Sequence, residues 1–93
     1  MGVDGLHEVL LGMVTVIDEA DTHQDTREGA QKAVMDGCTA LVGKEFGKEA
    51  ASALRAYLES NGVEVPTNLY SLAGCAWYDR CHGFLSGYLY HGS

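Results

Sequence analysis

Apolar residues recur at steps of three and four in four separate stretches of this chain, the spacing that lines one face of a helix. In the first stretch Leu6, Leu10, Met13 and Ile17 form a stripe that Val9 and Val16 widen, while Leu11 and Val14 stand off it. Asp4 suits an N-cap, which predicts a helix to about Ala20. That helix is apolar nearly all round, so it is expected to be central or covered by a second subunit. Val14-Thr15-Val16-Ile17 is β-branched enough for a short strand to compete there.

The second stretch holds Ala30, Val34, Cys38 and Leu41, supported by Ala33 and Val42. Asp25 is its expected cap, with Glu28 completing a capping box and pairing with Lys32 one turn on. Gly43 is the expected C-cap, with a kinked continuation toward Gly47 as the alternative. A third helix over about Lys48 to Asn61 would bury Ala50, Ala51, Leu54 and Leu58 and pair Arg55 with Glu59 outside. Asn61-Gly62 stops it, with Val63 placed for the apolar contact that follows such a stop. Val63 to Pro66 is extended, because the residue before a proline avoids helical angles.

The fourth stretch, Asn68 to Tyr90, holds six of the eight aromatic residues. Tyr70, Gly74, Trp77, Cys81, Phe84 and Tyr88 fall on one helix face, and Thr67 or Asn68 is the expected cap. A second row, Ala76, Arg80, Gly83 and Gly87, is mostly small. Each glycine there costs about 1 kcal/mol against alanine in a helix interior, which predicts a close contact on that row. The pattern as a whole predicts an all-α fold: one domain over residues 1–93, four helices in an antiparallel bundle, with the aromatic C-terminal helix as its spine.

Composition narrows the class. Hydrophobic content of 46% against 20% charged residues places the chain among globular proteins. The longest apolar run, Val9 to Ile17, is far short of the roughly 20 residues a membrane helix needs. No basic segment precedes it, so neither a membrane span nor a secretory signal is expected. Three cysteines cannot all pair within one chain and read as reduced thiols, which points to a cytoplasmic location.

The net charge of −7 is unevenly spread. Residues 1–26 carry six acids, Asp4, Glu8, Asp18, Glu19, Asp21 and Asp25, and no lysine or arginine. The other 67 residues carry seven acids and six bases. A nucleic-acid binder needs a basic footprint, and none is present, so direct nucleic-acid binding is disfavoured. A protein partner with a basic surface is the electrostatic complement.

Chemistry-bearing residues gather at one place. Cys75, Asp79 and His82, with Ser86 beyond, share a face of the fourth helix. Cys75 and His82 stand about 10 Å apart along the axis, so the imidazole cannot reach the thiol. A thiol dyad would need His7, His23 or His91 brought in by folding. Asp79 and His82 are spaced to share an ion, but Cys81 turns to the aromatic face, and no Cys-x-x-Cys or His-Glu-x-x-His spacing occurs. The acidic run Asp18 to Asp25 lacks the alternation and twelfth-position glutamate of a calcium loop. No phosphate-loop or dinucleotide-binding glycine pattern is present.

These features predict a non-enzymatic protein with no metal and no cofactor, acting by protein–protein binding through Asp18, Glu19, Asp21 and Asp25. In size and charge, though in no motif, the chain resembles the small acidic inhibitors that phages and mobile elements use against host nucleases and defence complexes. That likeness implies an inhibitor seated on a basic nucleic-acid-binding surface. An alternative is a small ligand- or metal-binding protein, or a minimal thiol enzyme, using Cys75, Asp79 and His82 with Tyr78. A third reading is a structural homo-oligomerisation module. Trp77, Tyr78, Phe84 and Tyr88 serve either the core or a self-association surface, and a homodimer is expected.

Overall fold

The computed structural model describes the backbone of residues 3–91 and the side chains of residues 5–90. Its elements are four helices: α1 (Val3–His23), α2 (Arg27–Phe46), α3 (Lys48–Ser60) and α4 (Leu72–His91). No strand occurs among the described residues, and Val14 to Ile17 is helical. No described helix is long and apolar enough to cross a membrane. The contacts form a ring, α1 on α2, α2 on α3, α3 on α4 and α4 on α1, in which the first two are extensive and the last is slight.

The helix along which most of the packing runs is therefore α2, not the aromatic α4. The reason lies in its small residues. A Cβ at Gly37 would stand 2.7 Å from Cγ1 of Val16 on α1, and one at Gly43 would meet the Cβ of Ala51 on α3 at 3.5 Å. Both neighbours thus come up against the α2 backbone. The α1 side is reciprocal, since Leu41 of α2 sits over Gly12, where a Cβ would be 2.8 Å from its Cδ1. Gly5 meets Glu45 and Phe46 in the same seam. Contacts that descend α1 as they climb α2 make these two helices antiparallel neighbours.

The helix ends differ from the sequence expectation in ways that capping chemistry explains. Helix α1 runs three residues past Ala20, so Asp18 to His23 is helical and the connection to α2 is short. The expected cap of α1 rests on the Asp4 side chain, which lies outside the described residues. Thr26, not Asp25, caps α2: its Oγ1 accepts the Gly29 N–H at 2.9 Å. With the first turn opening at Arg27, the Thr26 hydroxyl is the one in reach of a free N–H at the third helical position. Lys32 pairs with Asp36 at 2.7 Å and not with Glu28, while Arg55 does reach Glu59, at 3.7 Å. Helix α2 passes Gly43 and stops at Gly47, whose φ of +101° breaks the helical run.

Helix α3 ends as expected. The Val63 N–H donates to Leu58 O and the Gly62 N–H to Glu59 O, with Gly62 at φ +63°. This is the two-bond glycine stop, which needs a left-handed residue there. The segment after it crosses back to α2. Gln31 Nε2 donates to Val65 O at 2.8 Å, Arg27 pairs with Glu64 at 3.2 Å, and Pro66 is buried. Helix α4 opens later than Thr67 or Asn68 would place it. The Asn68 side chain accepts the Tyr70 N–H in a local turn, and Ser71 Oγ accepts the Gly74 N–H at 3.0 Å. Tyr70 therefore falls outside the helix and is 94% exposed.

The core is one cluster drawn from all four helices: Leu6, Val9, Leu10, Met13 and Ile17 from α1, Val34, Cys38 and Val42 from α2, Leu54 and Leu58 from α3, and Trp77, Cys81 and Leu85 from α4. Trp77 is its largest fully buried side chain. On α4 the buried line runs Gly74, Trp77, Cys81, Leu85, with Phe84 half-buried and Tyr88 at the rim. Leu85 was not on the predicted stripe. Phe84 stacks on Tyr57 of α3 with centroids 4.8 Å apart and on Tyr88 at 5.7 Å. On the second row of α4 Arg80 reaches the Tyr57 hydroxyl of α3 at 3.3 Å, but the glycines gain no close contact within the chain, because a Cβ at Gly83 or Gly87 would meet nothing within 4 Å.

Gly37→Ala and Gly12→Ala separate the two sides of the α1·α2 seam. At Gly37 the new methyl meets stiff, β-branched Val16, and we expect a loss of about 1 kcal/mol or more in urea unfolding. At Gly12 it meets the far end of Leu41, which can rotate, so the gain in helix propensity leaves stability nearly unchanged. Equal losses at both positions would contradict this packing.

Candidate protein-binding surface

The acidic residues singled out by the sequence stand at the junction of α1 and α2. Asp18, Glu19 and Asp21 lie on the last turns of α1 and Asp25 in the connection that follows; all four are exposed. The helix end itself is closed without them, by Thr22 Oγ1 donating to Asp18 O and Gln24 N–H to Ala20 O. Among the described residues none of the four acids makes an ion pair. The chain's salt bridges use Glu64, Asp36 and Glu59 instead. At 100° per residue Glu19 turns away from Asp18 and Asp21. It lines a groove of about 370 Å³ between α1 and α2 with His23, Gln24 and Gly37.

Their placement runs against local helix electrostatics. The C-terminal end of a helix carries partial negative charge, so carboxylates there are unfavourable, whereas Asp25 just ahead of α2 is favourably placed. Three acids are thus held where the fold gains nothing from them. Asp36 shows the contrast. It takes the Lys32 ammonium at 2.7 Å and Arg55 at 3.5 Å. The hydrogen bond from Lys32 holds its carboxyl below the usual carboxylate range.

The constellation on α4 is divided by the fold. Cys75 and Asp79 line a hollow of about 370 Å³ with Ile17, Leu69, Gly74 and Tyr78. His82 lines a second hollow, of about 340 Å³, with Leu6, His7, Leu10, Ser86 and Tyr90, and Tyr78 walls both. Folding therefore brings His7 to His82 and not to a thiol, a pairing of distant residues that no spacing reveals. His23 stands in the α1·α2 groove, and the His91 side chain lies outside the described residues. Among the described residues no imidazole lines the hollow that holds Cys75. Among the described residues no three of His, Cys, Asp and Glu converge as metal ligands.

The other two thiols are interior. Cys38 and Cys81 are fully buried, and burial pushes both up to about 12, with the neighbouring Trp77 indole pulling Cys38 slightly back. The Trp77 Nε1 has no hydrogen-bond partner of good geometry. The Cys38 sulfur beside it is a weak acceptor at best.

The four aromatics proposed for core or self-association also part company. Trp77 is core, Phe84 its edge, Tyr88 lies on the α3 flank beside Phe84, and Tyr78 on the α1 flank. They do not make one patch. The most exposed apolar residues are Tyr70, Leu72 at 90% exposure, Leu11 at 52% and Tyr90 at 49%, with Tyr78 and Tyr88 exposed to a lesser extent. Leu72 escaped notice because it precedes Trp77 by five residues, which turns it to the far side of the helix.

One thiol per chain, Cys75, is expected to react quickly with a thiol reagent in the native protein, and all three after unfolding. Below pH 9 the folded and unfolded chains both keep the Cys38 and Cys81 protons; between 9 and about 12 only the folded chain does. Stability should therefore fall over that window. The fall should be less steep in a Cys38→Ala/Cys81→Ala variant. Fast labelling of all three native thiols would contradict the buried placement.

Comparison with protein-family models, curated proteins and solved structures returns no match, so the functional reading rests on the arrangement of this chain's own side chains.

Proposed function

We propose that the protein acts by binding a protein with a basic surface through Asp18, Glu19, Asp21 and Asp25, and that it inhibits that partner by occupying the surface where nucleic acid would sit. The observation that supports this reading is the set of four exposed carboxylates, none of them ion-paired among the described residues, with Asp21 in the last turn of α1, where a helix disfavours an acid. Local electrostatics is sacrificed there, as expected where a charge serves an encounter with another molecule. The first 26 residues hold no lysine or arginine, and the adjoining Arg27 is paired with Glu64. Clustered carboxylates mimic the charge, though not the shape, of a phosphate backbone. Binding of this kind speeds encounter and weakens with salt, because the Debye length shrinks from about 10 Å at 0.1 M to about 3 Å at 1 M.

The test is a quadruple variant, Asp18→Asn, Glu19→Gln, Asp21→Asn and Asp25→Asn, used beside the native chain to capture proteins from cells that express it. We expect the native chain to retain nucleic-acid-binding proteins and to displace nucleic acid from them. The variant should bind them at least about tenfold more weakly. It should melt close to the native protein, since relief at the end of α1 offsets the loss of Asp25 ahead of α2. Undiminished capture and displacement by the variant would overturn the proposal.

A further inference from the structure

We propose that the outer face of α4 is the seam of an antiparallel two-fold dimer, its occupant a second copy of this chain. The face is Leu72, Ala76, Asp79, Gly83, Ser86 and Tyr90, turned away from the buried line of Trp77, Cys81 and Leu85. No helix of the chain lies over its middle, at Ala76 and Gly83, while Ser86 and Tyr90 at its C-terminal end flank the hollow against α1. Large apolar side chains stand open at both ends, Leu72 at 90% exposure and Tyr90 at 49%, and between them the backbone is nearly bare. Leu72 to Tyr90 spans about 27 Å of helix, long enough for a continuous seam.

The spacing identifies the occupant. Steps of four, three, four, three and four read the same in either direction, so a reversed copy of α4 falls into register with the first. The two-fold then lies level with position 81. It sets Leu72 against the second copy's Tyr90, Ala76 against its Ser86, and Asp79 against its Gly83. Charge selects the same arrangement. Apart from histidines, α4 carries only two charged residues, Asp79 and Arg80. A parallel pair would stack like on like at one height, whereas the antiparallel pair brings each Arg80 to the other copy's Asp79. One Arg80 donor already meets the Tyr57 hydroxyl at 3.3 Å, and the remaining guanidinium N–H groups are available for this contact. A chain of net charge −7 repels its own copy least where an acid on the contact face, here Asp79, is answered by a base bordering it, here Arg80.

The contact also accounts for two residues that the isolated chain does not explain. Gly83 on the face and Gly87 at its edge sit inside a helix, which glycine disfavours, and a Cβ at either would meet nothing within 4 Å in the chain. Against a second helix their missing side chains allow close backbone approach. The seam is separate from the acidic end of α1, so it stands or falls independently of the function proposed above.

Sedimentation equilibrium of the full chain, from about 1 to about 100 µM, tests the seam with three variants. The native chain should dimerise within this range. Leu72→Glu and Gly83→Leu should each raise the dimer dissociation constant at least about tenfold, with helix content by circular dichroism unchanged, because Gly83 has open space around it in the monomer. Gly83→Ala should act with opposite signs on the two equilibria. It should make the dilute monomer harder to unfold in urea and the dimer easier to dissociate. A native chain that stays monomeric at the highest concentration overturns the proposal. So does a dimer indifferent to all three substitutions, which would place the contact on another face.

Discussion

Val16 of α1 rests where Gly37 of α2 has no side chain, and Leu41 of α2 rests over Gly12 of α1. That reciprocal fit sets how near the first two helices stand, and the rest of the molecule is built on the distance. Packed helices ordinarily sit 8–10 Å apart according to the side chains between them. Here a small residue opposite a branched one brings the pair together without leaving a void. Gly43 then lets α3 approach the same helix, and α2 becomes the wall shared by two neighbours.

The cavity left beside that wall is closed by α4, and Trp77 fills it. Its burial brings Cys38 and Cys81 into one apolar volume from which water is excluded. Thiols in such a place are neutral packing groups, inert toward oxidants and metals. The chemistry that α4 shows as a sequence is thereby dispersed: one cysteine goes to an open hollow with Asp79, another to the core, and His82 to a different hollow with His7. The described fold thus parts the exposed thiol of Cys75 from His7, His23 and His82.

Charge and apolar surface are segregated on the outside. Exposed carboxylates gather where α1 gives way to α2, while the outer face of α4 carries one acid, Asp79, bordered by Arg80, and bare helix at Gly83. The two surfaces favour different kinds of contact. One attracts over a Debye length and depends on salt; the other has no long-range pull and needs close shape agreement. A dimer seam on α4 would leave the acidic ends free on both copies, so the two contacts are compatible.

The sequence by itself determined the all-α class, the four stretches that become helices and most of the buried face of each, because hydrophobic spacing and turn residues are local. The α3 stop at Asn61-Gly62 and the Trp77–Cys81 line were legible for that reason. Helix ends were less so: Thr26 and Ser71 displaced Asp25 and Asn68 as caps, since several polar residues stand in a row and only the backbone's entry angle selects one. The sequence also marked the four acids as a helix end and loop, and only the extension of α1 to His23 moved Asp21 from the loop onto the helix. Tertiary structure alone decided that α2 and not α4 carries most of the packing, that Tyr78 and Tyr88 face opposite flanks, and that His7 meets His82 and no thiol. Each of these turns on which faces of distant helices meet. That is set by the summed fit of many side chains across α1, α2 and α4, and no single stretch of sequence contains it.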